Sequence, residues 1–337
     1  MFSDLLTSSR LYITMVTKTG VNARLLAGIC LVTLLFSGCA AKQSAALMQE
    51  KPEGISTSAS VSNVPFFPQL DYQCGPASLA MVLSSAGTSV TPDELRNKLF
   101  IPGKQGSLQV EMLALPRGYG QLAYPLAPHL SDILREIEAG HPVIVFQNLG
   151  LNLAPQWHYA VVTGFDLAKE SITLHSGDTP DYRMPLSTFE RTWVRAGSWA
   201  MVVQPAGSFP AGAEESSYLR AAVNLEQAGF TEAALKSYEA AVKRWPESLS
   251  AWMGLGNIRY ALADLDGAAE AFVSAAKAHP DAAEPLNNLA QVQMEQGHFD
   301  EAMLAVEQAV RLDGNSELYQ QTRQEVIRTR AAVDKRS

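Results

Sequence analysis

The stretch VPFFPQLDYQCGPASLAMVLSSAG, residues 64–87, sets a cysteine at the threshold of a helix. Gly75 and Pro76 supply a turn and a helix start, and the apolar spacing of residues 77–83 continues as a buried helix. A sulfur at that position meets free backbone amides and the positive end of the helix dipole, and both favour a thiolate. Further along, PVIVFQ at residues 142–147 reads as a strand and QWHYAVVTGFD at residues 156–166 as another. His158 opens that β-branched apolar run, so its imidazole is expected at the start of a buried strand, across a cleft from the helix N-terminus. Met112, Leu113 and Leu115 are expected in a core helix, with Trp157 and Trp193 packed against the sheet.

The chain has three cysteines, and the places of the other two leave Cys74 alone. LLAGICLVTLLF at residues 25–36 is an apolar run behind Lys18 and Arg24 that contains Cys30 and falls short of a comfortable membrane span. It reads as part of a signal peptide over residues 1–38, with Met15 as an alternative start to Met1. Phe36-Ser37-Gly38-Cys39 resembles the lipobox of bacterial lipoproteins, with Phe36 where that motif prefers Leu. The resemblance implies cleavage before Cys39, a lipid on its sulfur and a membrane anchorage in the cell envelope. Ala40, in place of Asp, implies the outer membrane, facing the periplasm. An uncleaved anchor helix and a plain secretory signal with a chance cysteine are the other readings. Residues 39–62 are rich in Ser, Ala and Lys without apolar periodicity, and a flexible tether is expected there. Exported proteins normally pair their cysteines. One left single is either buried and inert or kept for its chemistry.

Gln69, then CGPASLAMVL at residues 74–83, WHYAVVTGFD at residues 157–166 and ITLHSGD at residues 172–178, followed by Phe189 and Trp193, resembles the bacteriocin-processing (double-glycine) cysteine peptidases and their relatives. These form a branch of the papain-like fold, the resemblance runs from residue 64 to residue 205, and it implies an α+β domain over residues 63–204. It implies that Cys74 is the nucleophile and that His158 is the general base that later protonates the leaving amine. It also implies that Gln69 lends its side-chain amide to an oxyanion hole beside the backbone amide of Cys74. Gln69 stands five residues before the cysteine, one fewer than is usual in relatives. The orienting Asp of the family aligns nearest Ser176. Asp178, two positions on, is the candidate third member, with His175 and Ser176 as alternatives. Many relatives are fused to an ATP-driven exporter, but this sequence has no transporter spans or nucleotide motifs, so ATP dependence is not carried over. No His, Cys and acidic cluster has metal-ligand spacing and no Gly-rich phosphate loop is present, so neither a metal nor a cofactor is expected.

Beyond PAGSFPAG at residues 205–212, inside a linker at 205–216, the composition turns helical and alanine-rich. Ala234, Ala268 and Ala302 recur at a spacing of 34 residues, as do Ala241, Ala275 and Ala309, the pair Pro246 and Pro280, and Tyr218, Trp252 and Leu286. This is the tetratricopeptide period. The middle copy fits best, with Trp252, Leu255, Gly256, Ala268, Phe272, Ala275 and Pro280 in place. Three repeats over residues 217–315 and a capping helix over 316–333 are expected, forming an all-α solenoid with a concave groove for a peptide or partner helix.

Apolar residues make up 47% of the 337-residue chain and charged residues 18%, values that exclude a largely disordered protein. The net charge of -8 and the lack of a basic run exclude nucleic acid as a natural partner. The sequence therefore points to an envelope cysteine peptidase acting on a peptide or protein, with repeats that recruit substrate or partner. Two other classes stay open: a non-catalytic peptide-binding scaffold, and an acyl transferase or amidase using the same thiol.

Overall fold

The computed structural model describes residues 41–69, 73–99 and 106–335; the expected signal segment and Cys39 lie outside these. The first half comprises α1 (Lys42–Gln49), β1 (Ser58–Ser60), α2 (Cys74–Ser85), α3 (Pro92–Leu99), α4 (Gln109–Ala114), a 3-10 turn (Leu115–Tyr119), β2 (Gln121–Pro125), α5 (Leu130–Glu138), β3 (Val143–Asn148), β4 (Trp157–Asp166), β5 (Ser171–Ser176), β6 (Thr179–Pro185), α6 (Leu186–Val194) and β7 (Ala200–Pro205). Among the described residues the strands form an antiparallel sheet in the order β2-β7-β3-β4-β5-β6. β1 pairs with residues 164–166 of β4, on the edge away from β5 and just past the point where β3 stops.

Strand alternation divides the apolar residues between two cores. Ile144, Tyr159, Val161, Met201 and Val203 face α2 and its buried Leu79, Met81 and Leu83. Val143, Val145, Ala160, Val162 and Val202 face the other way, onto α5, α6 and the first repeat helices. Because both faces are covered, these strands read as continuous apolar runs. Met112 and Trp193 are fully buried, as expected, whereas Trp157 is half exposed and stacks on Phe146 with ring centroids 5.3 Å apart. Leu115 does not extend the helix of Met112: that helix ends at Ala114, and Leu115 opens the 3-10 turn before Pro116.

The expected flexible tether is ordered over its described part, which corrects that reading. The Glu190 carboxylate, itself buried, accepts the backbone N–H groups of Gln43 at 2.8 Å and Ser44 at 2.7 Å, capping the free amides at the start of α1. Leu47 and Ile55 are buried, and β1 adds to the sheet with Ser58 opposite Asp166. Composition concealed this because the anchoring is long-range: two apolar residues and one carboxylate more than a hundred positions away.

Seven helices follow: α7 (Glu215–Gln227), α8 (Thr231–Arg244), α9 (Leu249–Ala261), α10 (Leu265–Ala278), α11 (Glu284–Glu295), α12 (Phe299–Leu312) and α13 (Glu317–Asp334). Ala234, Ala241, Ala268, Ala275, Ala302 and Ala309 are all fully buried, so the recurring alanines mark the places where paired helices touch. Gly256 does the same for α9 and α10, since a Cβ there would strike the Phe272 ring. The last helix keeps the phase of α7, α9 and α11, so it stands as the first helix of a further unit and closes the array. Linker residue Phe209 inserts between Tyr218 and Trp245, and the Glu214 N–H donates to Tyr124 Oη at 2.9 Å, seating α7 on β2. The α+β domain followed by an all-helical repeat region matches the expected fold class.

Glu190→Ala should release α1. Hydrogen exchange in residues 42–49 is expected to accelerate by the loss of two charge-assisted hydrogen bonds, about 1.5–3 kcal/mol each at most, while β4 keeps its protection. Unchanged exchange in α1 would show that Leu47 alone holds the helix.

Candidate active site

Cys74 is the first residue of α2, half-buried, and the free cysteine among the described residues. Gly75 follows because nothing larger fits: a Cβ there would lie 2.5 Å from Ser107 Oγ and 2.8 Å from Ser107 Cβ. Residues 106–108 are thereby able to close over the helix start. Three backbone N–H groups bear on the sulfur, those of Tyr159, Gly75 and Cys74 itself, and each favours the thiolate. Burial opposes them and is the larger effect, so the Cys74 thiol titrates above its ordinary value. The thiolate expected from the helix N-terminus alone is thus not the resting species.

Tyr159 ties the site together. Its N–H bears on the Cys74 sulfur, its C=O accepts from Gln69 Nε2 at 3.3 Å, and its hydroxyl donates to the Ser107 carbonyl at 3.2 Å. These main-chain groups are available because β5 joins β4 only from Val161 onward, opposite His175. His158, the preceding residue, has its Nε2 2.9 Å from Ser176 Oγ. Burial holds the His158 imidazole down to about 4, so the ring is neutral near pH 7. With Nε2 engaged by Ser176, Nδ1 is the nitrogen left to receive a proton.

Of the candidate third members, the structure brings Ser176 to His158 and leaves Asp178 elsewhere. Asp178 is exposed, and its Oδ1 accepts from Thr179 Oγ1 at 3.0 Å. The cause is local: Ser176 pairs with Thr179, so Gly177 (φ +62°) and Asp178 form the tip of a two-residue hairpin. The Ser-Gly-Asp-Thr run was itself the signal for that turn. His175 is held by other partners. Its Nδ1 accepts the Asp181 N–H at 3.2 Å, its Nε2 donates to the Val64 carbonyl at 3.3 Å, and Phe66 meets it edge-on.

Gln69 reaches the site but is engaged as a clasp. Its Nε2 donates to Ser78 Oγ and to the Tyr159 carbonyl, each at 3.3 Å; its Oε1 accepts the Gly177 N–H at 3.1 Å; its own N–H donates to the Gly177 carbonyl at 2.9 Å. One side chain thus joins the helix of Cys74, the strand of His158 and the turn after Ser176. Both N–H groups of its amide are thereby engaged within the protein. Sequence reasoning missed Tyr159 altogether, because a main-chain contribution leaves no side-chain signature. Among the described residues no group of three or more His, Cys, Asp or Glu side chains is gathered as a metal site, and no helix is long and apolar enough to cross a membrane.

Residues 61–201 match the model of the Peptidase_C39 like family, and residues 219–282 and 260–326 match two tetratricopeptide repeat models. No curated protein is detectably similar to the chain. Among solved structures it is similar to a C39-like peptidase from Bacillus anthracis, at 24% identity and a TM-score of 0.37, over 44% of this chain and 98% of that one. The repeat region is similar to the Yersinia enterocolitica type III secretion chaperone SycD in complex with a peptide of the translocator YopD, at 21% identity and a TM-score of 0.32, over 36% of this chain and 92% of that one. It is also similar to the first tetratricopeptide repeat domain of Spaghetti bound to an HSP90 peptide, at 11% identity and a TM-score of 0.33, over 35% of this chain and 93% of that one.

Gln69→Ala separates a clasp from an oxyanion donor. Alkylation by iodoacetamide forms no oxyanion, so a clasp predicts slower alkylation of Cys74 together with slower peptide hydrolysis. If hydrolysis alone falls, by about 10²–10³-fold, and alkylation is untouched, the side chain acts on the oxyanion.

Proposed function

We propose that the chain is a lipid-anchored cysteine peptidase of the bacterial cell envelope, hydrolysing a peptide bond in a peptide or protein that its repeats help recruit. The observation that carries this reading is the free Cys74 thiol at a helix start, beneath the Tyr159 amide, with His158 next in the chain and oriented through Nε2 by Ser176. In the proposed reaction the Cys74 sulfur attacks the substrate carbonyl while its proton passes to His158 Nδ1. The C–N bond then breaks, and the departing amine takes that proton. Water, deprotonated by the same nitrogen, attacks the thioester and releases the acid and the free thiol. The amides of Cys74, Gly75 and Tyr159 steady negative charge as it develops at the sulfur.

Ser176 fixes the ring by accepting from Nε2–H, the tautomer in which Nδ1 is a base. A hydroxyl orients the ring but, unlike a carboxylate, adds no charge opposite an imidazolium. This agrees with an imidazole that resists protonation until about pH 4. A second reading, a peptide-binding lipoprotein with little turnover, draws on the engagement of Gln69 and the solvent position of Asp178. The anchor rests on Cys39 and its lipobox-like context, and the outer membrane on Ala40.

An electrophilic thiol probe applied to the full chain tests the reading. His158→Ala should slow labelling of Cys74 by about 10²–10⁴-fold, and in the unmutated chain labelling should persist down to about pH 4, where the imidazole finally takes up a proton and the base is lost. Equal, slow labelling of both proteins would leave only the binding role. For the anchor, Cys39→Ser should abolish metabolic incorporation of a labelled fatty acid into the protein; undiminished incorporation would contradict it.

A further inference from the structure

The loop joining β3 to β4 stands directly before His158 and carries apolar side chains that no part of the described chain covers. Leu153 is 100% exposed and Leu151 70%, with Leu149 and Trp157 about half exposed. Residues 148–157 contain no charged side chain. The loop is nonetheless built. Leu151 and Ala154 exchange N–H···O bonds at 3.2 and 3.1 Å, and Leu149 N–H donates to the Gln156 carbonyl at 2.9 Å. The buried Asn148 side chain accepts from the N–H groups of Gly150 and Gln156, each at 3.0 Å, while Arg195 holds the Asn148 carbonyl. Gly150 is obligatory, because a Cβ there would strike the Ala154 carbonyl. A loop locked in this way cannot fold its leucines inward.

The geometry points to a lipid bilayer as the occupant of this surface: Leu151 and Leu153 enter the acyl boundary, and Trp157 rests at the headgroup level. Two features favour lipid over a protein partner. The main-chain groups of Leu149, Leu151 and Ala154 are paired within the loop, which leaves no free edge there for a partner's strand to add to, while Asn152 and Leu153 at the apex stand outside these pairs. The uncharged tip, apolar but for Asn152, with a tryptophan at its base is a composition that settles in membrane interfaces. Only the substrate class drawn from this surface rests on the peptidase reading. With the loop inserted, His158 and Cys74 sit at the membrane surface, and the substrate class becomes a peptide segment lying at or emerging from a bilayer.

The test uses the full chain with vesicles of phosphatidylethanolamine and phosphatidylglycerol, part of them carrying brominated acyl chains, and reads tryptophan emission. Quenching is expected in the unmutated protein, lost in Trp157→Phe and lessened in Leu151→Asp and Leu153→Asp. Quenching and co-sedimentation of Cys39→Ser, which can carry no lipid at that position, report on the loop alone. Absence of Trp157 quenching overturns the proposal whether or not the protein sediments. So does a Leu153→Asp variant that is quenched normally but hydrolyses a soluble peptide poorly, since that outcome assigns the rim to substrate instead.

Discussion

The site depends on one residue, Tyr159, having its main-chain N–H and C=O free of the sheet ladder on one side. In the middle of an antiparallel sheet, strand N–H and C=O groups pair with the neighbouring strand. Here β5 departs into the hairpin at Gly177 and Asp178, so the N–H of Tyr159 turns to the Cys74 sulfur and its C=O to Gln69. Gln69 in turn closes on Gly177 and returns the departing turn to the strand it has left. Helix α2, strand β4 and the Ser176 turn are thereby fixed to one another around a thiol and an imidazole.

The electrostatics of the pair follow from which effect is larger. Helix-start amides and the Tyr159 N–H pull toward a thiolate, but burial pushes the thiol further the other way, and burial likewise lowers the imidazole. Both groups are neutral at rest. In the proposed reaction, proton transfer therefore accompanies attack rather than preceding it, and the hydroxyl of Ser176 suffices because no standing imidazolium has to be balanced.

Much of this was legible in the sequence, for reasons that also explain what was not. Cys74 announced itself through Gly75 and Pro76, a local helix-start pattern, and His158 through the apolar run it opens. The repeats were legible because their buried alanines recur in fixed register. Ser176 was named only as an alternative to Asp178, since family alignment drew attention to the acid and away from the two-residue turn that carries it to solvent. The place of Gln69 before the cysteine drew attention to it, but which way its amide turns is decided by Ser78, Tyr159 and Gly177, partners up to 108 residues distant. Order in residues 41–62 was hidden for the same reason: Glu190 supplies it from afar.

The account stands on the protonation state of Cys74 itself. The most direct test is a thiolate absorbance titration in the ultraviolet, taken as the difference between the unmutated protein and Cys74→Ser. A neutral resting pair predicts that the Cys74 thiolate signal grows in only above pH 9, the ordinary thiol value. A full thiolate signal already present at neutral pH and lost on His158→Ala would mean a standing ion pair, and would contradict the account.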